Sequence, residues 1–423
     1  MNRRSFLETS AATLAVTALP GPAAATAGAA TVPPEYAPVH NLLARQVAEK
    51  RIPGAVWLVA HGDDVVVDAI GMSAIDGNAP MRRDTIFRIA SMTKAITAAA
   101  VMMLIEDKKL SLDAPAERWL PELANRKVLK RIDGPVDDVE PARRPITVHD
   151  LLAFTQGFGI LFDPALPIQR EIDRLQLVNG PPVPLTPHDP DEWMRRFGTL
   201  PLMHQPGARW MYNTGSLLQG VLIRRAARQD FDAFVNERIL APLGMRDTGF
   251  FVPAAKLKRF AGCGVFTDQG GKPGRMDKDG AQSAYATRPI FPSGAGGLCS
   301  TVDDYLAFAR MLLNGGTHGS KRLLRESSVL AMTTNQLTRE QIAASDFFPH
   351  FFDTHGWGYG MAVITAPDAV SKSPGRHGWD GGFGTSWIND RDRKLISIVM
   401  TQSSDFLFMG ALDAYWKAVY ATA

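Results

Sequence analysis

Ser91-Met92-Thr93-Lys94-Ala95-Ile96-Thr97-Ala98-Ala99-Ala100-Val101-Met102-Met103-Leu104-Ile105-Glu106-Asp107-Lys108 carries apolar residues on nearly every side of a helical wheel. That pattern predicts a helix buried in the interior rather than one lying on the surface. Lys108 and Lys109 suit its C-terminal end, where cations complement the helix dipole. Ser91 stands at the N-terminal end, and Lys94, three residues on, shares its helix face. A serine hydroxyl is a weak nucleophile until a nearby base takes its proton. A lysine pressed into an apolar interior is pushed toward its neutral, basic form. The helix N-terminus offers N–H groups and positive potential to a developing oxyanion. Ser-x-x-Lys is short enough to arise by chance in 423 residues, yet Ser91 is the only serine with lysine three residues on. It also opens this helix straight after Thr85-Ile86-Phe87-Arg88-Ile89-Ala90.

Working outward, residues 32–50 show an amphipathic pattern (Val39, Leu42, Leu43, Val47) that predicts a helix. Ala55 to Ala60 and Val65 to Ile70 are β-rich runs around the turn His61-Gly62-Asp63-Asp64, which reads as a hairpin. Residues 357–365 and 385–402 read as strands, and Ala411 to Tyr420 as a closing helix. Thr301 to Leu313 is an amphipathic helix capped by Ser300 or Thr301, with Asp303 and Asp304 in its first turn. Between about 110 and 290 the chain mixes helix patterns, such as 215–240, with irregular stretches, clearest at 126–146 and 178–191. Strands at both ends and helices between them predict one α/β (α+β) sheet lobe built from both termini, with a mainly helical lobe inserted. The expected division is 31–110 and 290–423 for the sheet lobe and 111–289 for the helical lobe. The active site is expected in the cleft between the lobes.

Two further segments carry chemistry. Pro206-Gly207-Ala208-Arg209-Trp210-Met211-Tyr212-Asn213-Thr214-Gly215 places Tyr212 between a tight turn and a helix pattern. A tyrosine beside a nucleophile can shuttle protons, whereas taken alone it is more often a core residue. Arg376-His377-Gly378-Trp379-Asp380-Gly381-Gly382-Phe383-Gly384 sets four glycines beside a strand. Such a stretch lets a substrate approach backbone N–H groups, which an oxyanion hole needs. Alone, it would read as a plain glycine-rich turn.

Together the three segments resemble the serine β-lactamase superfamily, specifically its class C and esterase branch. The pattern there is Ser-x-x-Lys, then Ser-Asp-Asn or a Tyr equivalent, then Lys-Thr-Gly. The likeness spans roughly residues 35–420. Leu151-Leu152-Ala153-Phe154-Thr155-Gln156-Gly157, Pro242-Leu243-Gly244-Met245 and Gly294-Ala295-Gly296-Gly297-Leu298-Cys299-Ser300-Thr301 are similar to family segments too. The resemblance implies a β-lactamase-like fold with an antiparallel sheet. It implies Ser91 as the acylated nucleophile, Lys94 as its base and Tyr212 as the second-motif tyrosine. It implies an oxyanion hole formed by the N–H groups of Ser91 and Gly382. Trp379, Asp380, Gly381, Asn213, His377 and Trp210 are expected to contact substrate.

The chain departs from that pattern at two places. The usual asparagine position of the second motif holds Thr214, with Asn213 beside it, and no Lys-Thr-Gly occurs anywhere. Trp379-Asp380-Gly381 resembles the Trp-x-Gly of the esterase branch, and a shifted alignment would put Arg376-His377-Gly378 there. The lysine that holds a β-lactam carboxylate is thus missing or replaced. A wall of Trp379 with Trp210 or Trp357 suits an uncharged ester. The expected activity is hydrolysis of small or hydrophobic carboxylic esters. A β-lactamase, a D-amino-acid peptidase or amidase, a transacylase and a non-catalytic penicillin-binding-like sensor are the alternatives.

Composition excludes other classes. Hydrophobic residues make up 45% and charged residues 21%, ordinary for a folded protein. A net charge of +3 without a basic stripe gives no case for nucleic acid. No serine lies in Gly-x-Ser-x-Gly, and there is no His-Glu-x-x-His, phosphate loop or dinucleotide fingerprint. No metal or cofactor is therefore expected. Cys263 and Cys299 are too few for a zinc site and could form one bridge or stay as thiols. Residues 1–30 pair Arg3-Arg4-Ser5-Phe6-Leu7 with an apolar run to Leu19 and a small-residue tract. This reads as a twin-arginine-type signal, with cleavage near Ala27 or Ala29. It predicts an exported, periplasmic or secreted protein with no membrane span after its removal.

Overall fold

The computed structural model describes residues 32–422 except 75–76, 78, 162, 179–185, 263–264, 268–272, 346, 373 and 409. The expected signal, Cys263 and part of the loop at 178–191 lie outside the described residues.

Seven strands form one sheet: β1 (Gly54–His61), β2 (Asp64–Gly71), β3 (His355–Trp357), β4 (Ala362–Ile364), β5 (His377–Gly381), β6 (Thr385–Asp390) and β7 (Leu395–Thr401). Their order is β3-β4-β5-β6-β7-β1-β2, and every neighbouring pair is antiparallel. The N-terminal hairpin therefore joins the C-terminal strands through β1 and β7, with Ala55 opposite Thr401 and His61 opposite Leu395.

β1 and β7 are buried almost end to end because both faces of the sheet are covered. On β1, Val56, Leu58 and Ala60 join the main core, while Ala55, Trp57 and Val59 face the opposite way. That second face packs against Val39 and Leu43 of α1 (Ala37–Ala48) and against Tyr415, Trp416 and Val419 of α5 (Ala411–Thr422). The main core holds α2 (Thr93–Glu106), α3 (Thr214–Ala227) and α4 (Val302–Leu313). The Thr301 side chain caps α4 by accepting from the Asp304 N–H.

α2 is buried from Thr93 to Leu104, as its all-round apolar surface requires. Its neighbours approach closely. A Cβ on Gly294 would collide with the Ser216 carbonyl and come within 3.0 Å of Thr97. The Thr97 hydroxyl donates to the Gly294 carbonyl at 2.8 Å, and the Leu298 N–H donates to the Thr93 hydroxyl at 3.1 Å. The segment 293–298 is thereby fastened along α2.

The region 126–146 is not wholly irregular. Lys127–Leu129 and Val139–Pro141 form a short hairpin, with Val128 and Leu129 buried. Three-residue strands carry too little alternation to be read from sequence. From Val32 onward the chain packs as one compact unit. No helix among the described residues is long and apolar enough to cross a membrane.

Candidate active site

The chain reaches Ser91 through a strained turn. Ala90 has φ 44°, a left-handed value that a non-glycine residue adopts only when its surroundings impose it. Here the Ile89 N–H donates to the Leu298 carbonyl, and the Ile89 carbonyl accepts from the Met92 N–H. Ser91 lies in the 3-10 turn Ala90–Met92, one turn before α2 begins at Thr93. It remains on the face of Lys94. The Lys94 Nζ is 2.9 Å from Ser91 Oγ and donates to the Ala295 carbonyl at 2.6 Å.

Lys94 is fully buried and no carboxylate is paired with it among the described residues. Burial holds its pKa well below the ordinary lysine value. The amine also stands 4.5 Å from the centre of the Tyr212 ring. The Tyr212 hydroxyl is hydrogen-bonded to Ser91 and accepts from Trp379 Nε1 at 2.7 Å. Burial raises the Tyr212 pKa, and those two hydrogen bonds only partly offset the rise. Ser91, Lys94, Tyr212 and Trp379 thus converge from the Ala90–Met92 turn, α2, the loop before α3 and β5.

The loop carrying Tyr212 is held on both sides. The Met211 N–H donates to the Phe154 carbonyl at 2.8 Å, and the Ile160 N–H to the Tyr212 carbonyl at 2.9 Å. Asn213 has φ 84° and ψ −58°, and the Thr214 N–H reaches back to the Tyr212 carbonyl at 3.2 Å. This is a γ-turn of the rarer, strained hand. It aims the tyrosine ring inward just before α3 starts.

Trp210, expected to contact substrate, lies behind Tyr212. It is 1% exposed and stacks behind Tyr212 with ring centres 5.6 Å apart. Its neighbours are Phe154, Trp357, Phe347, Phe351 and Phe352. Trp357 is also fully buried, so both tryptophans brace the site from behind.

Strand alternation sorts the third segment. Trp379 faces Tyr212, whereas Asp380 accepts a hydrogen bond from the Ser386 hydroxyl directly across β6. Burial raises the Asp380 carboxyl to about 6. His377 is buried at the start of β5, with its ring against Trp387 and Nδ1 3.4 Å from the Gly375 carbonyl. Burial lowers its pKa to about 4. The structure does not bring His377 or the Asp380 carboxylate into the Ser91–Lys94–Tyr212 contacts, because the sheet spends them on cross-strand packing. Asn213 is buried and contributes its strained backbone.

The glycines have separate tasks. A Cβ on Gly381 would collide with the Ile89 carbonyl and the Thr385 hydroxyl, so β5 can lie this close to the Ser91 turn only with glycine there. Gly382 opens the turn that leads into β6. Its Cα faces open space, and its N–H engages no backbone carbonyl among the described residues. Arg376, the cation adjacent to this segment, is 1% exposed, paired with Asp368 at 2.5 Å and laid over the Tyr420 ring. It cannot meet a substrate carboxylate.

Two contributors escaped sequence reading. The Ala295 carbonyl fixes Lys94, although its segment was conspicuous. Phe347 lies 5.0 Å from the Tyr212 ring but comes from the segment after the short helix Arg339–Ala343, far along the chain from Tyr212. Among the described residues, no three His, Cys, Asp or Glu side chains group as metal ligands. The Cys299 thiol is buried and pushed up to about 12.

Known proteins resemble this chain over most of its length. Esterase EstB of Burkholderia gladioli is 33% identical over 395 residues, covering 88% of this chain and 92% of that protein. Protein Rv1367c of Mycobacterium tuberculosis is 39% identical over 370 residues, covering 86% and 89%. The solved structure of EstCE1, described as a hydrolase with promiscuous acyltransferase activity, superposes with a TM-score of 0.75. It covers 91% of this chain and 98% of its own at 23% identity, which shows a shared fold. A model of the Beta-lactamase family matches residues 39–422, and with relatives this similar over most of its length the chain belongs to the Beta-lactamase family.

Proposed function

We propose that this enzyme is a serine hydrolase that cleaves carboxylic esters through an acyl-enzyme on Ser91. The observation that carries the reading is the hydrogen-bonded set Ser91–Lys94–Tyr212, closed by Trp379 rather than by a cation. An aromatic wall suits an uncharged ester. Arg376, needed for a substrate carboxylate in a lactam or peptide reading, is turned to Asp368. The esterase name of the Burkholderia gladioli relative fits the same reading.

The opposed pKa shifts divide the roles. Neutral Lys94 takes the Ser91 proton as Oγ bonds to the ester carbonyl carbon. The oxyanion faces the N–H groups of Ser91 and Gly382. Tyr212, held protonated by burial, gives its proton to the leaving alcohol oxygen as the C–O bond breaks. The Lys94 ammonium restores that proton. Water then repeats the sequence, losing its proton to Lys94 as it attacks, and Ser91 leaves with a proton restored. An alcohol in place of that water would make the same site a transacylase.

A paired assay tests the reading, using a short-chain aryl ester and a chromogenic cephalosporin, with mass spectrometry of the acylated peptide. Fast ester turnover, slow lactam turnover and a label on Ser91 are expected. Efficient lactam hydrolysis would overturn the ester preference, and absence of turnover and label would favour a binding protein. Tyr212→Phe is expected to lower kcat by about 10²-fold, the usual size of a lost proton transfer. A rate close to wild type would remove Tyr212 from the mechanism.

Residues 1–30 are proposed to export the protein as a twin-arginine signal. Replacing Arg3 and Arg4 together by lysine is expected to retain the enzyme in the cytoplasm on cell fractionation. Unchanged export would exclude that route.

A further inference from the structure

The aromatic residues around Tyr212 do not stop at the buried wall. Phe347 lies against the Tyr212 ring at 5.0 Å and against Phe348 at 4.3 Å. Phe348 in turn lies 6.2 Å from Phe408. Exposure rises along this series: Phe347 is half-buried, Phe348 is 46% exposed and Phe408 is 66% exposed. The rings come from two segments far apart in sequence. Phe347 and Phe348 follow the short helix Arg339–Ala343, which is tied to the tyrosine loop. There the Gln341 amide donates to the Gly207 carbonyl at 3.0 Å, and the Trp210 N–H donates to the Ser345 hydroxyl at 2.9 Å. Phe408 ends the helical turn Asp405–Phe408 just after β7. The start of that segment packs on the glycine turn, since a Cβ on Gly384 would strike the Ser403 carbonyl. An apolar track thus runs from the hydroxyl bonded to Ser91 out to the surface.

Contiguous exposed apolar rings, unlike scattered ones, mark interaction or ligand-binding surfaces. Here their continuity with Tyr212 names the occupant. We propose that Phe347, Phe348 and Phe408 bind the apolar chain of the ester and make the enzyme selective for esters with an extended hydrocarbon or aryl group. This inference rests on the ester reading above. The carbonyl sits at Ser91 and the chain lies outward along the rings, so each added methylene gains apolar contact. The rings alter selectivity and take no part in proton transfer.

The test measures kcat/KM on two series: p-nitrophenyl acetate against octanoate, and ethyl acetate against octyl acetate. Wild type is expected to favour the longer member of at least one series. In the double variant Phe348→Ala/Phe408→Ala that long-to-short ratio is expected to fall about 10-fold, through KM more than kcat. The double leucine variant, which keeps apolar surface, is expected to restore most of it. An unchanged ratio in both series overturns the proposal while leaving ester hydrolysis intact. Absence of turnover of every ester by wild type would instead remove the ester reading and this inference with it. A variant that loses a dimer in sedimentation and weakens equally on all esters would assign the rings to a contact between two copies.

Discussion

Ser91→Ala is expected to lower kcat on an aryl ester by on the order of 10⁴-fold or more, the scale seen when a covalent nucleophile is removed. It is also expected to abolish the acyl label. Ser91 is buried at the mouth of α2, and its oxygen is the point where the Lys94 amine and the Tyr212 hydroxyl meet. Its loss deletes the bond-forming atom and leaves both proton carriers without a shared partner. Alanine fills the same turn, and the Ala90 geometry is fixed by the backbone bonds of Ile89. Folding should therefore survive, and a circular dichroism spectrum like wild type separates lost chemistry from lost structure. Substantial turnover in the variant, or a label on another residue, would sink the assignment.

Lys94→Met is expected to lower kcat by on the order of 10³-fold, within the range for a removed general base, while stability holds or rises. Methionine matches the length of the lysine stem. A buried amine whose fixed partners are a serine oxygen and one carbonyl is a burden on folding that function retains. The sign of the pH dependence follows from the depressed pKa. Between that depressed value and the ordinary 10.5, the unfolded chain keeps a proton that folded Lys94 has lost. Wild-type stability therefore rises with pH across that window relative to Lys94→Met. Activity of wild type should rise through the depressed pKa and level off above it, because only the neutral amine accepts the Ser91 proton. Thermal denaturation and pH–rate profiles of both proteins check these points. A variant that is much less stable, or a wild-type rate that falls as the amine deprotonates, would refute the role.

The sequence by itself determined the elements whose cause is local. The apolar wheel of 91–108 dictated a buried helix, and the only Ser-x-x-Lys in the chain put Ser91 and Lys94 on one face. The β-rich runs around His61–Asp64 dictated a hairpin, and the residues of 385–402 announced strands. Tyr212 and Trp379 could be singled out because they stand beside turn-forming glycines in segments that resemble known motifs. Tertiary structure decided everything that depends on which face a side chain takes and on what lies far along the chain. Strand alternation turned Trp379 to Tyr212 and Asp380 to Ser386, while His377, on the same face as Trp379 but one repeat earlier on the strand, packs on Trp387. Trp210 was expected in a wall with Trp379, and the fold sets it among the rings of Phe154, Phe347, Phe351, Phe352 and Trp357 behind Tyr212. Arg376 could have served as the missing cation until its pairing with Asp368 was visible. The Ala295 carbonyl on Lys94 and the Phe347 ring on Tyr212 join residues more than a hundred positions apart. Such contacts leave no periodic trace in sequence, because loop backbones are placed by the surfaces they land on rather than by their own propensities.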